Sequence, residues 1–337
     1  MKRVISLLLV LAMLMLVAGC TSQTSNEPAE PVEPAAPAEP VKLTIGAASV
    51  GGGFHNGASA LANAVNSNLD GYELAVEVTG ASAANAALLA TGEVPFAMVD
   101  TTIAYEAYNG VEDFAGNSIS TLRCLFPGWP GTFIFVVPAS KGFKNIEDLK
   151  GTNFSGATVG SGTNIFVHRC LDLFDITFND LALPNSDANR GVADGTVDGF
   201  SLMYPSSAVT ELEASVDINI LTLDDAQKAK FQEAYPQYLW LSVPAGAYKC
   251  VPETVYNPGA FNLFCTSSEV DEETVYQIVK CAYENIDDIN AVFPFCGESM
   301  TPENLANCSI PFHAGTIRYF KERGWDVPAE LIPDEAK

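Results

Sequence analysis

The sequence is poor in positive charge. Its 337 residues include 17 Lys and Arg against 41 Asp and Glu, which gives a formal net charge of −24. A chain this acidic repels the phosphate backbone of nucleic acids, so nucleic-acid binding is excluded as its default function. The charge indicates a highly soluble protein and carries no information about the fold.

Histidine is scarce as well. The three histidines are His55, His168 and His313, which are far apart in the sequence and in no spacing typical of metal ligands. We therefore predict no metal site, and nothing else in the sequence indicates a cofactor.

No CxxC motif occurs among the eight cysteines, of which seven follow Cys20. Cys296 and Cys308 flank a loop-like segment and could form a disulfide if the compartment is oxidising. Cys265 and Cys281 lie in apolar segments, which is typical of buried thiols.

Beyond residue 20, no apolar run approaches the length of a membrane span. The one long run, VISLLLVLAMLMLVA, follows Lys2 and Arg3 and leads into LVAGC, which ends at Cys20. This pattern is typical of a signal peptide, and Cys20 stands where bacterial lipoproteins are cleaved and lipidated. Ordinary cleavage, with Cys20 an incidental thiol, is the alternative. We predict a lipoprotein signal peptide at residues 1–20 and an extracytoplasmic protein, lipid-anchored to the cell membrane at the cell surface or in the periplasm.

Residues 21–40, TSQTSNEPAEPVEPAAPAEP, have no aromatic side chain, almost no aliphatic side chain larger than Ala, and frequent prolines. Such a segment cannot bury enough apolar surface to fold, so we predict an extended tether between the membrane and the folded protein. A tethered, exported domain has little access to ATP or NAD.

The remaining chain alternates between strand and helix patterns. KLTIGA, YELAVEV and VPFAMV are strand patterns, and a helical pattern follows each. This order predicts an α/β fold with a parallel sheet. RCLFP and TFIFVVP then predict two consecutive strands before a second α/β unit, and WLSVPAGAYKC predicts the return crossing. DEETVYQIVKCAYENIDDIN predicts one long helix, with Ser268 and Asp271 spaced as a capping box.

Two α/β units joined by two crossings predict a two-lobed protein with a hinge and a cleft between the lobes. We assign residues 41–130 and 250–337 to lobe I and residues 131–249 to lobe II. Ligands of α/β proteins bind at the carboxyl ends of strands, so the cleft is the expected binding site.

The stretch VGSGTN in lobe II is a glycine-rich turn between a strand and a helix. Thr163 stands where a phosphate loop needs Lys, and Ile165 stands where a dinucleotide motif needs its third Gly. Ser161 is not in a GxSxG motif, because Val159 and Thr163 occupy the glycine positions. The turn is therefore either an anion site, formed by free N–H groups and hydroxyls at a helix start, or a simple N-cap.

Two related turns, SVGGGFHNG and TGASAAN, follow the first two strands. Helix starts after parallel strands share one sheet edge, so we predict that the three turns face one cleft and bind a small carboxylate. The candidate ligand-binding residues are Ser49, Gly52, Gly53, His55, Asn56, Ser82, Asn85, Thr101, Thr102, Ser161, Gly162, Thr163, Asn164 and Tyr204. Capping, packing or a surface position is the alternative for these residues. Asp100 would repel a carboxylate but could hold an amino group.

The chain beyond the tether resembles the TAXI-type solute receptors of TRAP transporters. The resemblance is carried, in this order, by LTIGAASVGGGFHNG, EVTGASAANAALLATGEVPFAMVD, GFKNIEDLKGTNFSGATVGSGTN, GTVDGFSLMYPSSAV, SVPAGAYKC and SIPFHAGTIRYFKERG. It implies a type II periplasmic-binding-protein fold that closes on a small organic acid: a glutamate-like amino acid, or a C4–C6 dicarboxylate or keto acid. It further implies delivery to the membrane subunits of an ion-coupled permease, and no catalysis. We expect a monomer.

The first turn departs from the family's G-G-T-Y-Y-P at Gly53, Phe54, His55 and Asn56, which predicts a different ligand fit. Ala81 replaces a residue that is often Gly in the family, a small change in size. Three other functions stay open: a receptor for an ABC importer, an exported hydrolase that uses Ser161, and a sensor or surface interaction module.

Overall fold

Two long strands organise the computed structural model, which describes residues 39–337. The strands are β1 (Val41–Gly46), β2 (Tyr72–Glu77), β3 (Phe96–Asp100), β4 (Leu122–Pro138), β5 (Asn153–Ser155), β6 (Asn179–Asp180), β7 (Gly199–Tyr204), β8 (Ile218–Leu221), β9 (Leu239–Val243) and β10 (Val255–Ser267). The predicted signal peptide, Cys20 and all but the last two residues of the predicted tether lie outside the described residues.

Helices cover the sheet. They are α1 (Gly53–Asn68), α2 (Ser82–Thr91), α3 (Thr101–Asn109), α4 (Gly162–Leu173), α5 (Asn185–Ala193), α6 (Ser207–Glu213), α7 (Asp225–Ala234), α8 (Glu272–Glu284), α9 (Ile286–Val292), α10 (Pro294–Gly297) and α11 (Ala314–Glu322). Short 3-10 helices span Glu112–Phe114, Ala139–Lys141, Ile146–Leu149, Pro302–Asn307, Ala329–Leu331 and Asp334–Ala336. Among these described elements, no helix is both long and apolar enough to cross a membrane.

The strand order is β2-β1-β3-β10-β4-β7-β5-β6, with β8 on β4 and β9 on β10. Parallel pairs form the two ends, β2-β1-β3 and β7-β5-β6, as the alternating strand and helix patterns predict. Between them, β4 and β10 pair antiparallel from Leu122 opposite Ser267 to Thr132 opposite Gly259. The two parallel groups are thus joined through two long strands, which form the hinge of a two-lobed fold.

The hydrophobic cores follow this division. One core takes its buried side chains from Ile45 to Trp129 and from Phe261 to Leu331. Beyond Trp129, successive residues of β4 alternate between two further cores, because side chains of a strand point to opposite faces. Phe133 and Phe135 pack into the second core with α4, whereas Ile134 and Val136 pack into the third core with α5 and α6.

The prediction of two consecutive strands at RCLFP and TFIFVVP is wrong, because β4 runs through both without interruption. Proline usually breaks a strand, since it removes a ladder hydrogen bond. Here Pro127 and Pro130 remain in the strand, and the pairing with β10 shifts register between Asn262 and Leu263. The irregular pairing accommodates both prolines. The return crossing is made by β10, and WLSVPAGAYKC forms β9 and the turn after it.

The long helix predicted near the C-terminus is two helices. Asn285 has φ −120° and ψ 41° and separates α8 from α9. Asp271 caps α8 alone, by accepting a hydrogen bond from the amide of Thr274, so the predicted capping box with Ser268 does not form. NIEDLKG forms the 3-10 turn at Ile146–Leu149.

The cysteines of the described part are free thiols. Cys265 and Cys281 are buried, as their apolar surroundings predict. Cys296 does not face Cys308. The sulfur of Cys308 instead lies 3.5 Å from that of Cys124, and the sulfur of Cys296 lies 3.7 Å from that of Met300.

Candidate functional site

A cavity of about 90 Å³, lined by polar and apolar side chains, lies where the carboxyl ends of strands from both halves of the sheet meet. It is lined by Ala48, Ser49, Gly52, Gly53, Phe54, Thr79, Gly80, Ala81, Ser82, Asp100, Trp129, Ala157, Thr158, Ser161, Gly162, Thr163, Asn185, Leu202, Met203, Pro205, Ser206 and Asn262. We call the turns before α1 and α2, together with Asp100 before α3, the first wall, and the turns before α4 and α5 the second wall. The crossing strands contribute Trp129 and Asn262.

The two walls touch. The amide of Ala83, in the first turn of α2, donates a hydrogen bond of 3.2 Å to the carbonyl of Gly160, just before α4. The hydroxyl of Ser207 donates one of 3.4 Å to the carbonyl of Gly51. The cavity therefore lies between two lobes that contact each other.

The first wall presents uncapped helix starts. The N-cap residues of α1 and α2 are Gly52 and Ala81, and neither has a side chain that accepts from the helix amides. The first N–H groups of a helix have no partner within the helix and carry partial positive charge. The amide of Ala83 is already used by the carbonyl of Gly160, so the other amides at these two helix starts, beside the cavity, can bind an anion.

The second wall is capped from within. Ser161 accepts a hydrogen bond from the amide of Asn164 at 3.1 Å, so its hydroxyl serves α4. Gly162 follows it and closely approaches the first wall. A Cβ at position 162 would lie 2.1 Å from Oδ2 of Asp100, which is far below a normal contact distance. Only glycine allows the two walls to come this close.

Two buried polar atoms of the cavity residues have no partner among the described residues. They are the hydroxyl of Ser206 and Oδ1 of Asn262, whose residues are 8% and 1% exposed. The amide nitrogen of Asn262 is used, since it donates to the carbonyl of Trp129 at 3.1 Å. Buried polar groups are nearly always hydrogen-bonded in folded proteins. These open atoms therefore indicate a position for a bound molecule.

Asp100 supplies the carboxylate of the cavity. Its Oδ1 accepts from the amides of Thr102 and Ile103, and its Oδ2 accepts from the hydroxyl of Ser82 at 2.7 Å. Burial raises the pKa of Asp100 above its usual range, although hydrogen bonds from Ser82 and the two amides act in the opposite direction. No Lys, Arg or His of the described chain lines the cavity. Any positive charge near Asp100 must come from helix ends or from a ligand.

Strain marks both walls. Ala81 has φ 67° and ψ −152°, and Ala157, in the turn before α4, has φ 71°. Residues with a Cβ atom rarely adopt such backbone angles. Replacing the family's frequent glycine with Ala81 is therefore a change in backbone strain, and not only the small change in size that the sequence predicts.

The structure places half of the predicted residues at the cavity. Ser49, Gly52, Gly53, Ser82, Ser161, Gly162 and Thr163 line it. The other seven predicted residues do not line it: His55, Asn56, Asn85, Thr101, Thr102, Asn164 and Tyr204. His55 and Asn56 are half-buried in the first turn of α1.

Each of the remaining five has another position. Asn85 is fully buried and donates to the carbonyls of Gly46, Ala47 and Met98, so it ties α2 to strands β1 and β3.

Thr101 accepts a hydrogen bond from the amide of Phe261, and Thr102 is buried away from the cavity. Asn164 donates to Asp180 at 3.1 Å. Tyr204 packs against Tyr248 and Phe295 and precedes Pro205 through a cis peptide bond. The same sequence motif occurs at a helix start whether its side chains point into the cavity or into the protein.

The cavity also contains residues that the sequence patterns do not indicate. Trp129 and Asn262 come from the crossing strands, and no local motif marks them. Asn185 begins α5 and follows Pro184. A proline at this position is a sequence signal for the start of a helix. Within residues 39–337, no cluster of three or more His, Cys, Asp or Glu has the arrangement of a metal site.

The architecture is that of type II periplasmic binding proteins: two α/β lobes, joined by crossing strands, enclose a cavity. It is similar to the structure of MatC from Rhodopseudomonas palustris with bound malate, with 13% identity over 80% of this chain and 96% of that chain and a TM-score of 0.54. A structure from work on glutathione import by GshT and the cystine ABC importer TcyBC of Streptococcus mutans is 12% identical over 77% of this chain and 96% of that chain, with a TM-score of 0.49. The chain belongs to the NMT1-like family, whose model matches residues 45–324.

Proposed function

We propose that this protein is an extracytoplasmic solute receptor that captures a small amino acid of the glutamate type between its lobes. One observation carries the proposal: uncapped helix starts and two residues with unpartnered buried polar atoms line one cavity between the lobes. A catalytic site would have to hold a nucleophile beside a base. The hydroxyl of Ser161 instead caps α4, and the residues lining the cavity include no histidine.

The charges of the cavity favour an amino acid over a dicarboxylate. The carboxylate of the ligand fits against the amides at the starts of α1 and α2 and the Ser206 hydroxyl, which can donate. Its ammonium group fits between Asp100 and the open Oδ1 of Asn262, both of which accept hydrogen bonds. A C4–C6 dicarboxylate or keto acid is the second candidate, because the helix starts can hold more than one carboxylate. It would leave Asp100 beside like charge in a buried site.

The transport partners follow from the sequence resemblance. We propose that the receptor is of the TAXI type and delivers its solute to a TRAP permease, with lobe I at residues 41–130 and 250–337 and lobe II at residues 131–249. Lipidation at Cys20 would anchor it outside the cytoplasm. A receptor for an ABC importer has the same fold and is the alternative. A neighbouring gene for a membrane-embedded, ion-coupled permease supports the TRAP proposal, and one for an ATPase subunit contradicts it.

Native mass spectrometry of the protein purified without refolding tests the ligand class. We expect a co-purified solute with the mass of a small amino acid. Thermal-shift assays with L-glutamate, other amino acids and 2-oxoglutarate extend the test, and we expect the largest stabilisation from an amino acid. A co-purified sugar, metal ion or nucleotide would contradict the proposal, and turnover of the bound solute would restore the hydrolase alternative.

A further inference from the structure

A buried ion pair joins α3 to α4 outside the cavity. Nη1 and Nη2 of Arg169 lie 2.7 Å and 2.9 Å from Oε1 and Oε2 of Glu106, the parallel two-bond geometry of a guanidinium on a carboxylate. The side chain of Glu106 is 0% exposed and that of Arg169 is 10% exposed. The chain has only 17 Lys and Arg against 41 Asp and Glu. Positive side chains are therefore scarce, and one of them, Arg169, is buried in this ion pair.

The partners belong to different lobes. α3 packs into the core that contains β3, through Ile103 and Ala107, and α4 packs into the second core through Phe166 and Val167. Both helices begin at the cavity, where Asp100 caps α3 and Ser161 caps α4. Glu106 and Arg169 lie further along the same two helices. A solute that draws the helix starts together therefore also draws these two side chains together.

Further contacts complete the cluster. Nη2 of Arg169 lies 2.9 Å from Oδ2 of Asp113, and its Nη1 lies 3.3 Å from the hydroxyl of Tyr238. The side-chain amide of Gln237 donates to Oε1 of Glu106 at 3.1 Å. Burial alone would lower the pKa of Arg169, but the hydrogen bond and charge of Glu106 raise it, so the guanidinium stays charged.

Burial makes this pair dependent on lobe closure. The carboxylate of Glu106 is dry with Arg169 against it, and a buried unpaired carboxylate is strongly disfavoured. When the lobes separate, water can reach both groups and neither needs its partner. Without Arg169, separation of the lobes lets water reach the carboxylate of Glu106 and removes the cost of burying it unpaired. The open form is then favoured.

We propose that Arg169 and Glu106, with Asp113 and Gln237, form an interlobe clasp that stabilises the closed form and slows solute release without contacting the solute. The effect on solute release rests on the proposed receptor function. The effect on lobe closure does not, since it concerns the protein alone.

The test measures the distance between the lobes in the full-length protein without added solute. Spin labels are attached through a non-natural amino acid at Glu73 and Glu233, which are exposed and lie on β2 and α7, in different lobes. Pulsed electron resonance on Arg169→Met should show loss of the short-distance population that the wild type has. The double variant Arg169→Met/Glu106→Gln should recover part of it, because no unpaired charge is left to bury.

Arg318→Met is the matched control, since Arg318 forms an exposed pair with Glu273 at 2.7 Å within one lobe. It should leave the distance distribution unchanged. With L-glutamate as the probe, Arg169→Met should bind about ten-fold more weakly or worse, mainly through faster dissociation. Identical distance distributions for Arg169→Met and the wild type would overturn the clasp. Failure of L-glutamate to bind the wild type would count against the proposed function and leave the distance result valid.

Discussion

The cavity and the clasp both lie between the lobes. Helices α3 and α4 begin at the cavity and hold the clasp residues Glu106 and Arg169 further along. The two regions differ in how completely their polar groups are hydrogen-bonded. In the clasp, both oxygens of Glu106 and both terminal nitrogens of Arg169 have partners. In the cavity, the Ser206 hydroxyl and Oδ1 of Asn262 have none within the described residues. We propose that the paired groups of the clasp hold the lobes together and that the open groups of the cavity bind a solute.

The two regions also differ in charge. The clasp has a guanidinium among acids, whereas the cavity has one carboxylate, Asp100, and no cationic side chain among the described residues that line it. Positive potential in the cavity must come from helix starts, which interact by roughly 0.3–2 kcal/mol each depending on burial. From this difference we expect the cavity to prefer a ligand that has its own positive charge.

We expect the largest effect on solute binding from a substitution at Gly162, where the two walls come closest. Gly162→Ala would place a Cβ 2.1 Å from Oδ2 of Asp100. Because the walls must then separate, we expect L-glutamate binding to fall by about 100-fold or more, which corresponds to roughly 3 kcal/mol. Calorimetric titration measures the affinity, and circular dichroism checks that the variant is folded. Wild-type affinity in a folded variant would show that the lobes do not close as described.

Asp100→Asn tests the charge of the cavity. Asparagine keeps the Oδ1 acceptor for the α3 amides but removes the charge that would hold an ammonium group. We expect affinity for L-glutamate to fall by about ten-fold or more and affinity for 2-oxoglutarate to rise. Asp172→Asn, an exposed change on α4, is the control and should alter neither. A gain for both probes would favour the dicarboxylate alternative.

Asp180 supports the second wall and gives a smaller, pH-dependent effect. It accepts from the amides of Gly156 and Ala182 at 2.9 Å and contacts His168 at 2.8 Å. Burial acts to raise its pKa, but these hydrogen bonds and His168 outweigh burial and lower it. A lowered folded-state pKa means that the stabilisation is present above the unfolded pKa, about 3.9, and is lost as pH falls through the folded value.

Asp180→Asn should therefore lower the free energy of unfolding by about 1–2 kcal/mol at pH 7, and the difference should narrow below about pH 4. Urea unfolding at several pH values measures it. Asp175→Asn, an exposed change in the loop before β6, serves as the control. A difference that is constant with pH would show that the ionised carboxylate is not the source of the stabilisation.

We expect the smallest effect from relief of backbone strain in the first wall, and this change should stabilise the protein. Ala81→Gly removes the Cβ from a backbone with φ 67°, so we expect stability to rise by about 1 kcal/mol. Ala87→Gly, an exposed position inside α2, should instead lower it by roughly 0.5–1 kcal/mol. Thermal unfolding compares the two. Equal losses would mean that position 81 is not strained.

The helix starts of both walls could be predicted from the sequence because they depend on local chemistry. A strand pattern, a glycine-rich turn and a helical pattern are sufficient to place Gly52, Ser82 and Gly162 at one sheet edge. The parallel strands at both ends of the sheet follow from the same patterns.

Side-chain direction could not be predicted in this way. Asn85 and Thr101 meet the same motif as Ser82, yet both satisfy backbone groups inside the protein. Asn262 enters the cavity through the pairing of β10 with β4, and Glu106 meets Arg169 only when two helices distant in sequence pack together. These positions depend on long-range contacts that local patterns do not encode.

The most direct test of the account is a crystal structure of the protein purified without refolding, with its co-purified solute. We expect the solute carboxylate within hydrogen-bond distance of the amides at the starts of α1 and α2, and its amino nitrogen between Asp100 and Oδ1 of Asn262. A solute bound elsewhere, or helix amides and Asn262 paired only within the protein, would contradict it.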